Sequence, residues 1–347
     1  MLKDLLKKVI NFQNLDTLEA YNAMKYIMEG KAGECEIAAF LTALKMKNES
    51  IDEVTGFSRA MLEKAERLKI DYSNAVDTCG TGGDCKNTFN ISTTAAFIAS
   101  GAGAIVAKHG NRSVSSKSGS ADVLEALGVN INLGIKDIEK CINSIGIGFI
   151  FAPVAHTAMK YVSRIRKEIG IKTVFNILGP ITNPAFPNGR VLGVFDDRLL
   201  DIMTYSLKNL GIKRAFVVYG KEGLDEISVC GDSIVSELNN GRINKYIINP
   251  IDFGLNNYTL KELQGGDAGQ NARILIEILS GREKGAKRAS AILNAAAAIV
   301  AGSKADTLEE SIRMALRSIE SGTALEKLES LIKFTNNPQS INQYKQG

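Results

Sequence analysis

Apolar side chains in the first 70 residues recur three and four positions apart, which is the period of an amphipathic α-helix. Gly30, Gly33 and Asn48 interrupt this pattern and mark helix ends. We therefore expect a small all-helical domain at residues 1–72, completed by helices around residues 160–187. The pattern predicts helices over residues 15–28, 36–47 and 51–68.

From residue 76 onward, short apolar runs alternate with helix-like segments. This alternation is typical of an α/β fold with a mostly parallel central sheet and helices on both faces. The sequence therefore predicts a large α/β domain over residues 73–347. The predicted strands are residues 76–79, 104–107, 147–151, 190–195 and 215–219.

Two segments of the predicted large domain stand out by composition. Pro180, Pro184 and Pro187 fix their backbone φ angles, so residues 173–187 are predicted to form a stiff connector outside the sheet, with the character of a hinge. Residues 286–300 are rich in alanine and predict a helix that packs tightly in the core.

The composition is that of an ordinary soluble globular protein, with 45% hydrophobic and 23% charged residues among 347. A net charge of +4 is too small to indicate nucleic-acid binding, although it suits an anionic small substrate. The five cysteines are scattered without zinc-type spacing, which favours reduced thiols and a cytoplasmic location. Residues 1–12 lack the apolar core of a signal peptide, and no stretch reaches membrane-spanning length, so we expect no membrane contact.

A glycine-rich loop follows the first predicted strand. Gly80, Gly82 and Gly83 carry no Cβ, so backbone N–H groups at this loop can approach an anion closely. Cap-type residues come directly before the next apolar run, whose helix would point its N-terminus at the same anion. These cap-type residues are Asn90, Ser92 and Thr93.

A second polar segment follows the predicted strand at residues 104–107. Lys108, His109 and Arg112 would lie at the carboxyl end of that strand, where open α/β sheets bind ligands, and both cations suit phosphate. Ser120 ends a serine-rich turn and is predicted to cap the helix at residues 121–127. Two anion-binding loops in tandem indicate a ligand with phosphates at both ends.

Two standard nucleotide motifs are absent from this region. No Gly-Lys-Ser/Thr follows the glycine loop at Walker A spacing, and residues 80–85 lack the third glycine of a dinucleotide fingerprint. ATPase and NAD-dependent functions are therefore disfavoured. An alternative interpretation, two ordinary βα turns in a glycine-rich protein, stays open on these residues alone.

Two adjacent carboxylates, Asp225 and Glu226, follow the predicted strand at residues 215–219. Mg²⁺ prefers one or two carboxylates together with water and substrate phosphates, so this pair suits a hard cation. A solvated acidic turn explains the same residues equally well.

The chain has only two histidines, His109 and His156. No carboxylate that would orient His109 as a general base is identifiable, so a substrate contact or a structural role is favoured for it. The basic segment after His156 carries Arg164 and Arg166, either of which can bind a carboxylate ligand with two hydrogen bonds.

Seven motifs spread over nearly the whole chain resemble those of the anthranilate phosphoribosyltransferase family, in the nucleoside phosphorylase and phosphoribosyltransferase superfamily. Their length and order make them more specific than a single glycine loop. The motifs are GTGGD at 80–84, NIST at 90–93, KHGNR at 108–112, SGSADVLEALG at 118–128, FNILGPITNP at 175–184, LDE at 224–226 and GGDAGQNA at 265–272.

The resemblance implies transfer of the phosphoribosyl group of phosphoribosyl pyrophosphate (PRPP) to the amine of anthranilate, in tryptophan biosynthesis. It also implies a homodimer, an active site between the two domains and Mg²⁺ as cofactor, with two ions per subunit. By this resemblance Ser92, Asp225 and Glu226 would serve the metal, and Gly80, His109, Asn111 and Arg166 would bind anthranilate. The catalytic candidates are Lys108, His109 and Arg166. PRPP would be surrounded by Gly80, Gly83, Asp84, Thr88, Asn90, Ser92, Thr93, Lys108, Ser116 and Ser120.

Two other functions are weighed against this transferase. A pyrimidine nucleoside phosphorylase resembles the family in fold, but the HGN motif at 109–111 and the LDE turn argue against it. A noncatalytic relative that binds nucleic acid would need a basic stripe and damaged metal residues, and the sequence has neither feature.

Overall fold

The computed structural model describes residues 1–71, 73–113, 117–256 and 258–337. Fifteen α-helices and seven strands form within these residues. The strands are β1 (Ala75–Gly80), β2 (Ile105–Gly110), β3 (Ile147–Phe151), β4 (Gly189–Gly193), β5 (Arg214–Gly220), β6 (Ser233–Asn239) and β7 (Arg242–Ile248). The helices are α1 (Leu2–Ile10), α2 (Thr17–Met28), α3 (Glu34–Lys47), α4 (Ile51–Lys64), α5 (Ile91–Gly101), α6 (Ser120–Ala126), α7 (Ile135–Ile145), α8 (Ala152–Ala155), α9 (Lys160–Ile169), α10 (Phe175–Leu178), α11 (Leu199–Asn209), α12 (Ala268–Leu279), α13 (Ala286–Ala301), α14 (Leu308–Glu320) and α15 (Thr323–Asn336).

The N-terminal helices form where the apolar periodicity predicts them. Asp16 and Ser50 begin α2 and α4 with capping boxes, in which each side chain accepts an N–H bond from the third helical residue. Helix α4 ends four residues earlier than predicted, at Lys64. The chain turns away there because Ala65 is extended and the Leu68 N–H donates to the Pro184 carbonyl, 3.4 Å away.

The sheet has seven strands in the order β3-β2-β1-β4-β5-β6-β7. The five predicted strands are parallel to one another, which confirms the mostly parallel α/β fold. The edge hairpin β6–β7 is antiparallel and was not predicted from the sequence. Its signal was present, because Asn240 and Gly241 form the turn with φ angles of 47° and 85°, and an Asn-Gly turn between alternating segments is typical of a β-hairpin.

Hydrophobic clusters cover both faces of the sheet. Successive residues of β5 point to opposite sides, so that Phe216 joins the cluster formed by α5 and α12–α15, while Val217 joins the cluster formed by α1–α4 and α11. The predicted alanine-rich helix is α13, which is buried along nearly its whole length. The second cluster also includes Val162 of α9 and Phe175 of α10. The boundary between a small and a large domain stays a prediction.

The connector at residues 173–187 lies outside the sheet, as predicted, although α10 and a single 3₁₀ turn at Gly179–Ile181 give it helical geometry. No helix in the described part of the chain is both long and apolar enough to cross a bilayer. The five cysteines are all unpaired.

Candidate active site

Strand β2 is longer than the sequence indicated and changes the position of two site candidates. Lys108 and His109 were expected after the strand, but they lie inside it, with only 4% and 6% of their surfaces exposed. Pairing with β3 continues through both residues to Gly110, because that neighbour is an apolar strand with the same register. Because successive strand residues point to opposite faces, Lys108 reaches Ser92 of α5 while His109 packs against His156.

The glycine loop after β1 closes around Asp225. The Gly82 N–H donates to Asp225 Oδ2 at 2.8 Å, and a Cβ atom on Gly80 would lie only 2.3 Å from the same oxygen. Gly82 and Gly83 have φ angles of 65° and 76°, the left-handed region that favours glycine. Glycine at these positions thus allows both the turn and the close approach that the sequence predicted.

The N-terminus of α5 faces the same acidic turn. The Ser92 N–H, in the first helical turn, donates to Glu226 Oε1 at 3.0 Å, as expected for an anion at a positive helix end. Ser92 and Thr93 were predicted as caps but lie inside the helix. The Thr93 hydroxyl is buried and has no hydrogen-bond partner among the described residues.

Asn90 precedes α5, yet its side chain does not cap the helix. Its amide donates to the Ser118 carbonyl at 3.2 Å and accepts from the Asn271 amide at 2.9 Å. Asn271, a residue that sequence reasoning did not assign a role, also accepts from the Gly266 N–H at 2.8 Å. The GGDAGQNA motif at 265–272 could have identified this residue, because Asn271 connects that remote segment to the phosphate loops.

Thr88 pairs with the same remote segment through an isolated bridge to Gln264. The neighbouring Phe89 N–H donates to the Leu263 carbonyl at 3.1 Å. The stretch between the glycine loop and α5 is therefore held by backbone bonds as well as by side chains.

Glu226 is buried and Asp225 is half-buried, and the cations around them do not match their number. Burial, followed by the charge of Asp84, raises the pKa of Asp225 to about 7. Burial and the charge of Asp225 raise the pKa of Glu226 well above its usual range. Asp84 Oδ2 is buried and has no hydrogen-bond partner in the described part of the chain. These three carboxyls form an acidic pocket, and a bound cation would stabilise their ionised forms.

A hard cation fits this donor set only with help from a ligand. Within residues 1–71, 73–113, 117–256 and 258–337, no group of three or more His, Cys, Asp or Glu side chains is arranged to hold a metal ion by itself. Mg²⁺ commonly takes one or two carboxylates and completes its shell with water and phosphate oxygens. Asp225, Glu226 and the Ser92 hydroxyl are compatible with that arrangement.

Lys108 lies beneath the N-terminus of α5. Its ammonium donates to the Thr78 carbonyl at 2.5 Å and lies 3.5 Å from the Ser92 hydroxyl oxygen. Burial lowers the pKa of Lys108, while the charges of Asp77 and Glu226 oppose that shift. The lysine adds positive potential below the pocket.

The serine-rich loop differs from its prediction in two respects. Ser120 does not cap α6, because Gly119 occupies the cap position and Asp122 accepts the Gly119 N–H at 2.9 Å. Arg112 was expected to face phosphate, but its guanidinium is paired with Asp122 and with Glu125 at 2.8 Å. The Ser120 hydroxyl instead donates to the Asn111 carbonyl at 3.3 Å. Ser116 lies outside the described residues.

His109 and His156 form a buried pair, with ring centroids 5.2 Å apart. Burial lowers the pKa of His109 well below its usual range and lowers that of His156 to about 4, so both rings are neutral near pH 7. Neither Nε2 atom has a hydrogen-bond partner within the described ranges. Sequence reasoning gave His156 no role, although it is one of only two histidines.

Arg164 and Arg166, both on α9, differ in their surroundings. Arg164 is exposed and paired with Glu168 at 2.8 Å. Arg166 is partly buried, its guanidinium carbon lies 5.2 Å from the Phe175 ring centre, and it forms no ion pair with a described residue. Arg166 is therefore the better candidate for an anionic ligand. Asn111 is exposed at the end of β2 and accepts the Arg112 N–H through its side chain.

Two sequence profiles cover most of the chain. Residues 72–325 match the glycosyl transferase family, a/b domain, and residues 3–65 match the glycosyl transferase family, helical bundle domain. Together these matches include the glycine loop, the acidic turn and the four N-terminal helices.

Two relatives are similar over nearly their full length. Anthranilate phosphoribosyltransferase of Pelotomaculum thermopropionicum is 50% identical over 337 residues, which cover 97% of either chain. The protein of the same name from Acetivibrio thermocellus is 48% identical and covers 99% of either chain.

Solved structures show the same fold. Anthranilate phosphoribosyltransferase from Thermus thermophilus has a TM-score of 0.90 and 39% identity, covering 95% of this chain and 99% of its own. The Saccharomyces cerevisiae enzyme, in complex with PRPP and Mg, has a TM-score of 0.88 and 29% identity, covering 96% and 98%. With half of its residues identical to such a relative over nearly the whole length, the chain belongs to the anthranilate phosphoribosyltransferase family of glycosyl transferases.

Proposed function

We propose that the protein transfers the 5-phosphoribosyl group of PRPP to the amine of anthranilate, which gives N-(5-phosphoribosyl)anthranilate and pyrophosphate for tryptophan biosynthesis. The observation that carries the proposal is the acidic pocket of Asp84, Asp225 and Glu226, enclosed by backbone N–H groups of the glycine loop and α5. Relatives that are about half identical bear the corresponding enzyme name.

The donor half of the site binds a doubly phosphorylated sugar. The N–H groups of Gly80 and Gly83 and the N-terminal turn of α5 are the natural partners of phosphate oxygens. Mg²⁺, when bound, would neutralise the pyrophosphate and stabilise it as a leaving group. Lys108 adds fixed positive charge beneath that position. We assign the donor half to Gly80, Gly83, Asp84, Thr88, Asn90, Ser92, Thr93, Lys108, Ser116 and Ser120.

The acceptor half binds an aromatic carboxylate. We assign its anchor to Arg166, which is partly buried and lacks a protein carboxylate partner among the described residues. Neutral His109, together with Gly80 and Asn111, offers hydrogen-bonding and packing contacts without adding a charge. The amine nitrogen bonds to C1 as the C1–O bond breaks, the bonding electron pair leaves with pyrophosphate, and the nitrogen then loses one proton to pyrophosphate or water. An aryl amine is neutral at pH 7, so the chain needs no strong general base.

The reaction is tested by the fluorescence of anthranilate, which falls as anthranilate is consumed. Purified protein, PRPP and Mg²⁺ should remove the signal, whereas samples with EDTA or without PRPP should retain it. Retention in the complete mixture, followed by phosphorolysis of thymidine or uridine, would instead support the pyrimidine nucleoside phosphorylase.

We also propose two Mg²⁺ ions per subunit, bound by Asp225, Glu226 and Ser92 together with the donor. Once ionised on metal binding, Asp84, Asp225 and Glu226 together with the pyrophosphate of the donor carry more negative charge than a single divalent ion neutralises. Counting bound Mn²⁺ by electron paramagnetic resonance in the presence of PRPP tests this stoichiometry. About one ion per chain would contradict it.

We further propose that the protein is a homodimer formed through its N-terminal helices. Large apolar side chains are exposed there, including Phe12 at 68% and Met46 at 70%, together with Ile10 and Leu18. Exposed apolar surface of this kind marks association sites. Light scattering should give twice the chain mass, and Phe12→Asp combined with Met46→Asp should give the monomer mass.

We locate the site between the predicted small domain at residues 1–72 and the predicted large domain at residues 73–347. This location is supported by His156, which packs against the His109 ring and lies beside Met28 of α2 and Met61 of α4. The helices around residues 160–187, which carry Arg166, would complete the small domain.

A further inference from the structure

Lys172 connects the acceptor side of the molecule to the glycine loop. It lies in the short segment between α9, which carries Arg166, and α10. Its ammonium donates to the Gly83 carbonyl at 2.8 Å, across 89 positions of sequence. This is a charge-assisted bond from one half of the proposed site to the backbone of the other.

The Lys172 ammonium is also held by an aromatic ring. It lies 3.9 Å from the centre of the Phe195 ring, a close cation–π contact. The Phe195 N–H in turn donates to the Thr81 hydroxyl at 3.2 Å, and the Thr81 N–H donates to the Gly193 carbonyl at 2.9 Å. Lys172 and Phe195 therefore contact each other and hold the glycine loop at two points, Gly83 and Thr81.

The backbone at Gly83 fits this arrangement. Gly83 has a φ angle of 76°, and a Cβ atom there would lie 2.4 Å from the Lys172 ammonium nitrogen. A glycine is thus needed at position 83 for the lysine to approach, as well as for the left-handed turn. Lys172 forms no ion pair with any described residue, so its charge is available to the loop.

We propose that Lys172 is a positioning residue, which holds the glycine loop in the conformation that binds the pyrophosphate of the donor. Phe195 acts with it by fixing the ammonium at Gly83. This inference rests on the proposed function and deepens it, because it names a residue outside the seven family motifs that sets affinity for the donor. The effect is transmitted through the loop backbone and not by direct contact of Lys172 with pyrophosphate.

Steady-state kinetics of four variants test the proposal: Lys172→Met, Lys172→Arg, Phe195→Leu and the double variant Lys172→Met/Phe195→Leu. Loss of a charge-assisted hydrogen bond should raise the KM for PRPP about tenfold in Lys172→Met. The KM for anthranilate should stay within about twofold. Lys172→Arg retains a donor and a cation and should recover most of the affinity.

The double variant separates positioning from direct electrostatics. If Phe195 acts through Lys172, Phe195→Leu alone should also raise the KM for PRPP, and the double variant should resemble Lys172→Met. If Lys172 contacts pyrophosphate directly, Phe195→Leu should leave the KM unchanged, and that result would overturn the positioning role. Lys167→Met is the matched control, because it removes an exposed lysine from α9 at the same cost in charge.

Two further outcomes also decide the matter. An unchanged KM for PRPP in Lys172→Met overturns the proposal, as does an equal loss for both substrates with a lowered melting temperature. Calorimetric titration of wild type and Lys172→Met with PRPP and Mg²⁺, without anthranilate, measures binding of the donor alone. The role of Lys172 is thereby tested separately from the transferase function. Wild type that binds PRPP but does not consume anthranilate refutes the transferase function, while the difference in binding still tests Lys172.

Discussion

Two acidic sites near β1 differ in how the protein compensates their negative charge. One is Asp77, inside the strand, and the other is the pair Asp225 and Glu226, beside the glycine loop that follows it. Asp77, inside β1, is fully buried and accepts hydrogen bonds from Arg190 at 2.7 Å, Asn183 at 2.9 Å and the His109 N–H at 3.0 Å. Glu226 is also buried and Asp225 is half-buried, but the hydrogen bonds that they accept come from the backbone N–H groups of Ser92 and Gly82.

The difference separates a structural charge from a binding site. Burying a carboxylate costs free energy unless cations or hydrogen bonds replace water. Around Asp77 the protein supplies that replacement. Around Asp225 and Glu226 it supplies only backbone N–H groups and the nearby charge of Lys108, and the pKa of both carboxyls stays raised because this compensation is incomplete. Such a shortfall is expected where a ligand supplies the missing charge.

Substitution of the compensated group should cause the greatest loss of stability. Asp77→Asn should lower the free energy of unfolding by about 3–5 kcal/mol, because it leaves Arg190 buried without its counter-ion. Urea denaturation followed by circular dichroism measures this change. Asp196→Asn, which breaks an exposed pair with Arg198, is the control and should cost less than about 1 kcal/mol. A loss below about 1 kcal/mol for Asp77→Asn would contradict the view that Asp77 is a structural charge that its partners compensate.

Substitution of Asp225 and Glu226 should instead reduce activity without reducing stability. The double change Asp225→Asn and Glu226→Gln should lower kcat by roughly 10²–10³-fold, the range found when a stabilising group in an active site is lost. The free energy of unfolding should stay equal or rise, since repulsion between buried carboxylates is relieved. Asp197→Asn combined with Asp252→Asn, which removes two exposed carboxylates, controls for net charge. Turnover close to wild type would exclude both residues from the mechanism.

His156 provides a pH test of the same principle. Burial lowers its pKa from 6.5 to about 4, so the folded state binds fewer protons than the unfolded state between these values. The His156 contribution to stability is therefore complete above pH 6.5 and is lost as the pH falls towards 4, by up to about 3 kcal/mol. Urea unfolding at several pH values should show a flatter profile for His156→Gln than for wild type. Parallel profiles would contradict the assignment.

Arg164 and Arg166 of α9 show the same contrast, because Arg164 is paired with a protein carboxylate and Arg166 has no such partner among the described residues. Arg166→Met should raise the KM for anthranilate by roughly tenfold or more, because a charged hydrogen bond contributes about 1.5–3 kcal/mol. Arg164→Met, which only breaks surface ion pairs, should change it less than about twofold. Equal effects of the two substitutions would show that Arg166 is not the carboxylate anchor.

The class of fold and the location of the phosphate loops could be predicted from residue order alone. Apolar periodicity is a local property, and it placed the N-terminal helices and the five parallel strands within a few residues of their positions. Glycine is favoured where the backbone is left-handed or closely approached, so the sequence also predicted the loop at Gly80, Gly82 and Gly83. The β6–β7 hairpin carried a local signal that was overlooked.

Which charges are compensated could not be predicted in this way, because the partners meet only in the folded chain. Asp77 contacts Arg190 and Asn183 across more than a hundred positions of sequence, and Arg112 is neutralised by Asp122 and Glu125 although it looks free in the chain. The contact of Lys172 with Gly83 belongs to the same class. Such pairings depend on how strands and loops meet in space, whereas residue type and spacing report only what each segment can do alone.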